Sequence, residues 1–121
     1  QRLVRCLCPH CREPVTLPAA ALQKAGLDRI AGEQALNLHS ARGCAQCKQT
    51  GYRGRTSIHE LFVMDAAAHR AVLDGADATT LHQVARRGGM LTLYEDGLRK
   101  VAQGITSLEE LLRVTQDQEG G

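Results

Sequence analysis

The 121-residue chain has no tryptophan, one phenylalanine and two tyrosines. With Tyr52, Phe62 and Tyr94 as its only rings, the interior has to be assembled from Leu, Val, Ile and Ala. An aliphatic core in so short a chain is small, and an external staple would add much to it. The same shortage argues against a nucleic-acid surface, which needs rings interleaved with its cations for bases to stack on. Long apolar runs are also missing. No stretch of 18 apolar residues exists to cross a membrane as a helix, and no basic-then-apolar signal segment opens the chain. Nor is there a Gly-x-x-x-x-Gly-Lys-Ser/Thr loop, a Gly-x-Ser-x-Gly elbow or a His-Glu-x-x-His pair. Without a phosphate cradle, an activated nucleophile or a catalytic metal pair, these residues do not read as an enzyme on their own. The opening "QRLVR" reads as a helix already under way and the chain as a fragment of something longer.

What is present is divided. Residues 1–55 carry nine Lys/Arg against three Asp/Glu, and residues 56–121 carry six against ten. All five cysteines fall in the basic half, four of them in two Cys-x-x-Cys pairs, Cys8/Cys11 and Cys44/Cys47, with 32 residues between the pairs. Four thiolates are what a structural zinc ion takes, in a tetrahedron at roughly 2.3 Å. The two-residue spacer lets both sulfurs of a pair reach one ion, and Pro9 and Gly43 suit the tight turns. A zinc tetrathiolate carries a charge of about −2, which Arg5, Arg12, Arg42, Lys48 and Arg53 are placed to offset. Disulfides, a redox dithiol and unligated thiols are the alternatives. Cys6 is a spare thiol. His10 and His39 lie beside the pairs and read as surface or neighbouring residues, and His59, His69 and His82 have no metal spacing. The site has no open position and is therefore structural.

The expected fold class is α+β, mostly α: a zinc-stapled minidomain over 1–55, then a buried strand and a four-helix region over 56–121. "PAAALQKAG" (18–26) predicts a short helix, and 26–40 predicts irregular chain. The dense apolar run in "TSIHELFVMD" (56–65) predicts the buried strand. Asp65 caps a helix that stops at Gly75. Thr80 with Gln83, Thr92 with Glu95 and Ser107 with Glu110 predict three capping boxes, each opening a helix with an aliphatic stripe. The tail "QDQEGG" (116–121) is expected to fray.

Taken in order, "QRLVRCLCPHC", "GCAQCKQTGYRGRTSIHELFVMD" and "EDGLRKVAQGITSLEELLRVT" resemble the C-terminal part of the type II secretion ATPases, the E proteins of the general secretory pathway. The related assembly ATPases of type IV pili are similar, and "EDGLRKV" favours the secretion branch. The resemblance covers nearly the whole chain. It implies a P-loop motor that forms a hexameric ring in the cytoplasm, peripheral to the inner membrane, with platform proteins of that membrane as partners. It implies ATP and Mg²⁺ bound by Walker motifs elsewhere in the parent. It places structural Zn²⁺ on Cys8, Cys11, Cys44 and Cys47, and it sets "SIHELFVM" against the sheet of the nucleotide core. Cys6 and His59 depart from the family's pattern. "CAQCKQTGYRG" also resembles the zinc repeats of J-domain chaperones. Those have Gly where this chain has Gln49, and they need four repeats where two pairs exist. A zinc-ribbon nucleic-acid binder is the third reading.

Overall fold

The computed structural model describes residues 1–32 and 34–119, the side chains as far as Gln116. Among the described residues it is mostly helical, with six α-helices and two small antiparallel sheets, so the α+β class holds. Two compact units are present, residues 1–59 with 93–121 and residues 60–92. This grouping by contact differs from a division at residue 55: the C-terminal helix pair belongs with the tetracysteine segment.

In the first unit, β1 (Arg2–Leu7) pairs antiparallel with β4 (Tyr52–Ile58), with Val4 opposite Thr56 and Arg2 opposite Ile58. The helix expected at "QRLVR" is therefore a strand. Five residues are too few to nucleate a helix alone, whereas β4 offers a ready ladder for their backbone groups. Between Arg5 and Leu7 the register slips, β4 using one residue more than β1. Gly54 supplies it at φ 79°, in open space, as a bulge that any Cβ would disfavour. That accounts for the second glycine of "TGYRGR".

Helix α1 (Ala19–Ala25) matches expectation, with Pro18 before it and Gly26 donating its N–H back to the carbonyls of Leu22 and Gln23. Helix α2 (Leu27–Ala31) then follows where irregular chain was expected. Its five residues exist because Leu27 and Ile30, one turn apart, both bury into the core. A two-residue ribbon, β2 (Glu13–Pro14) with β3 (His39–Ser40), ties the two ends of this segment together.

The core is aliphatic, as the shortage of rings requires. Val4, Leu27, Ile30, Leu38 and Ile58 pack with Leu93, Leu98, Val101, Ala102 and Leu111. The last five come from α5 (Leu93–Ala102) and α6 (Leu108–Glu119). At the start of α6, Ser107 Oγ accepts from Glu110 N at 3.0 Å, one half of the expected capping box. The other half is redirected: the Glu110 carboxylate accepts from Arg5 and Arg113. The tail stays helical to Glu119, and Gly120 and Gly121 lie outside the described residues.

The second unit holds α3 (Ala66–Leu73) and α4 (Ala78–Arg87). Asp65 caps α3 as expected, accepting from Ala68 N at 2.8 Å. Helix α4 starts earlier than the Thr80/Gln83 box predicted, capped by Asp77, which accepts from Thr80 N at 2.8 Å. A carboxylate complements the positive helix start better than a hydroxyl does. The buried strand expected over 56–65 is the larger departure. Strand β4 ends at Ile58, and Leu61, Phe62, Val63 and Met64 are 71, 41, 61 and 55% exposed. Among the described residues no strand pairs with this run, so it has no ladder to join.

Candidate metal centre

Strand β1 runs directly into the first knuckle. Leu7 is buried, and its N–H donates to Ile105 O at 2.8 Å, fixing where the chain turns. Cys8 follows, fully buried, its own N–H donating to Gly51 O at 2.9 Å. The N–H groups of Cys11 and Arg12 fold back onto Cys8 O, which makes the tight turn through Pro9 and His10. The second knuckle is a single turn of 3₁₀ helix, Ala45–Cys47, entered from Cys44 in extended conformation. It leaves through Lys48 and Gln49, both left-handed at φ 55° and 65°. Gly51 comes next at φ 83°, where a Cβ would stand 2.6 Å from Ala41 Cβ. Only glycine lets β4 pass that close to the segment before Cys44.

The two knuckles bring four sulfurs together. All four lie within 4.8 Å of one another. Cys8 Sγ is 3.8 Å from Cys44 Sγ, Cys11 Sγ is 3.8 Å from Cys47 Sγ, and Cys44 Sγ is 3.7 Å from Cys47 Sγ. None is in a disulfide. Backbone N–H groups point at the sulfurs: Gly43 N to Cys11 Sγ at 3.3 Å, Cys44 N and Gly51 N to Cys47 Sγ at 3.2 and 3.1 Å. These bonds decide which thiol ionises. Burial opposes the Cys47 thiolate, yet the N–H groups of Cys44 and Gly51, with the neighbouring thiols, bring its pKa down from 9.0 to about 6. Burial pushes Cys11 the other way, to about 11, against its one donor at Gly43 and with the adjacent thiols competing for charge. An ion among the four would supply the positive charge that lets all of them ionise together.

Cys8, Cys11, Cys44 and Cys47 could therefore hold one metal ion, and they are the four residues the spacing singled out. Cys6 stays outside the cluster, half-buried in β1, with its thiol pKa raised by burial. His10 is exposed, and His39 donates from Nδ1 to Asn37 O at 2.8 Å. Neither joins the sulfurs among the described residues.

The centre is fastened to the C-terminal helices through one turn, residues 102–107. Besides Leu7 N to Ile105 O, Thr106 Oγ1 donates to Arg5 O at 2.8 Å and Asn37 N to Ala102 O at 2.7 Å. Arg12 Nη1 donates to Gly104 O at 2.8 Å, and the hydroxyls of Tyr52 and Ser107 bond at 2.7 Å. This clamp has no local motif in the sequence, because every bond joins residues far apart in the chain.

No helix among the described residues is long and apolar enough to cross a membrane. The type II/IV secretion system protein family matches residues 1–113. The chain is 47% identical over 115 residues to the type IV pilus assembly ATPase PilB of Thermus thermophilus, covering 95% of this chain and 13% of that protein. It is 42% identical over 118 residues to type II secretion system protein E of Pseudomonas aeruginosa, covering 98% of this chain and 23% of the other. Against type II secretion system ATPase E of Vibrio cholerae the identity is 42% over 117 residues, with 97% and 22% covered. The chain thus spans between about an eighth and a quarter of the length of these relatives. With nearly all of its residues matched by that family, the chain belongs to the type II/IV secretion system proteins.

Proposed function

We propose that this chain is the tetracysteine and C-terminal region of a cytoplasmic ATPase that powers type II protein secretion. In this reading residues 1–55 form a minidomain around one structural Zn²⁺, and residues 56–121 supply the strand and helices that follow it. The observation that carries the reading is the match over 97–98% of the chain to proteins named as type II secretion E proteins and ATPases. The donor set supports zinc. A tetrahedron of sulfurs at roughly 2.3 Å from an ion has edges of about 3.8 Å. Three of the sulfur pairs stand at 3.7 to 3.8 Å. Zinc would act there as a staple and no step of ATP hydrolysis passes through it. The chain's own residues bind the ion, exclude water from Cys8 and Cys47, and transmit its constraint through the 102–107 turn into α5 and α6.

ATP, Mg²⁺, the hexameric ring and the inner-membrane platform belong to the parent protein in this proposal. A second reading, a type IV pilus assembly ATPase, is favoured by the 47% identity to PilB. Chimeras separate the two. This chain is exchanged for the matching region of the Vibrio cholerae secretion ATPase and, separately, of the Thermus thermophilus pilus ATPase, and ATPase activity, secretion and piliation are measured. Retained ATPase with secretion restored supports the first reading, and piliation without secretion supports the second. Folded chimeras that restore neither overturn both.

A further inference from the structure

Glu110 is a buried carboxylate with more cations than it needs. It is 1% exposed, and its two oxygens accept from Arg5 Nε and Nη2 at 3.2 and 2.9 Å and from Arg113 Nε and Nη2 at 2.7 and 2.8 Å. Arg5 N adds a fifth bond at 2.8 Å. One guanidinium neutralises one buried carboxylate, so the second leaves a positive charge beside Glu110 that only the exposed, solvent-screened Glu109 on the same cleft wall opposes. Both guanidiniums reach the surface, the side chains being 42 and 59% exposed. They face a cleft of about 340 Å³ whose wall also includes Ala41, Thr50, Tyr52 and the exposed Glu109. Each arginine gives Glu110 only two of its side-chain nitrogens, which leaves further N–H donors on both.

The two forks are also held rigid. Arg5 lies 4.2 Å over the Tyr52 ring, Tyr52 is fixed through its hydroxyl to Ser107, and Arg113 is held by Glu110 one turn back on its own helix. Rigid guanidiniums lose little freedom when an anion arrives, which is the usual reason paired arginines recognise oxyanions. We propose that the cleft between Arg5 and Arg113 binds a phosphate group, with the two guanidiniums as its donors and Glu110 as the residue that positions them. A dianionic tetrahedral oxyanion suits two forks better than a single carboxylate does. Glu109 is the one acidic group on the rim and opposes binding.

The test titrates the whole chain with inorganic phosphate at constant ionic strength and follows the arginine Nε–H signals by NMR. Saturable shifts at Arg5 and Arg113 are expected. Arg113→Gln should weaken binding about tenfold, the worth of one charge-assisted contact, while Arg5 still pairs Glu110 and keeps the fold. Glu109→Gln should tighten it. A second arm uses phosphatidylcholine vesicles with and without phosphatidylglycerol. Sedimentation with the anionic vesicles that Arg113→Gln weakens to a similar degree assigns the phosphate to a lipid headgroup, and phosphate shifts without sedimentation assign it to a soluble phosphate. Absence of saturable shifts, or equal affinity in wild type and Arg113→Gln, overturns the proposal.

Discussion

Gly97 in α5 packs directly under Leu111 in α6, so closely that a Cβ built on Gly97 would overlap Leu111 Cδ1. Gly97 is buried and Leu111 is fully buried, so neither can move into solvent. Two effects oppose each other in Gly97→Ala. Helix propensity favours alanine by about 1 kcal/mol. Overpacking a filled core costs typically ~1–3 kcal/mol. Leu111 sits in the central cluster with Val4, Ile58 and Leu98, so the overpacking term should win. Urea unfolding of Gly97→Ala should show a net loss, and an unchanged or raised midpoint would mean that the α5–α6 crossing relaxes more freely than its packing implies.

The metal proposal predicts one zinc per chain in protein purified without chelator, with the thiols intact. Structural zinc and folding share one free energy, on the order of 10 kcal/mol at neutral pH. Cys44→Ser removes a ligand whose sulfur stands 3.8 and 3.7 Å from Cys8 and Cys47. It should lower zinc content and thermal stability together. Because the centre bonds into the 102–107 turn, chelation should also raise amide exchange in α5 and α6, beyond residues 6–55. Exchange confined to the cysteine loops would show that the turn does not transmit the constraint.

Glu110 gives the pH dependence. Burial opposes its charge, but the bonds from Arg113 and Arg5 dominate and hold its pKa down at about 2, from 4.5. A carboxylate depressed on folding stabilises the fold above its unfolded pKa. That contribution is lost as pH falls from about 4.5 toward 2. The shift corresponds to an upper figure of about 3 kcal/mol for a side chain that is fully buried. Metal release also destabilises the protein in acid, so the comparison is made with Glu110→Gln. The stability gap between wild type and variant should be widest near neutrality and narrow steadily below pH 4.5. A gap that is constant down to pH 2 would assign the loss to packing.

The parts of this protein that were open to sequence reading are those written in short spacings. The Asp65 cap and the Gly26 stop each lie within a few residues and stand as read, and the two equally short Cys-x-x-Cys pairs bring their four sulfurs within 4.8 Å of one another. What escaped depends on partners far along the chain. Arg2 to Leu7 becomes a strand only because residues 52–58 return beside it. Glu110 was taken for a local capping residue, and its charge is used 105 residues away by Arg5. The run Leu61 to Met64 carries the composition of a buried strand, but it stands exposed because burial needs a neighbour and apolar composition does not create one.

Lys24 at the end of α1 and Arg29 in α2 are both exposed, and they flank a cleft of about 430 Å³ that also includes Asp28 and Tyr94. Neither side chain is in an ion pair among the described residues, so reversing their charge should cost little stability. The segment that bears them is pinned elsewhere: by the β2–β3 ribbon, by Asn37 N to Ala102 O, and by the buried Leu27 and Ile30. Lys24→Glu with Arg29→Glu in the parent should therefore leave zinc content, melting temperature and basal ATPase unchanged. If this face meets an acidic region of a membrane platform protein, the same double variant should reduce platform binding and secretion by more than tenfold, the scale of losing two interfacial charge contacts at about 0.7 kcal/mol or more each. Secretion that survives the double reversal while Cys44→Ser abolishes it along with stability would leave the minidomain a purely structural role.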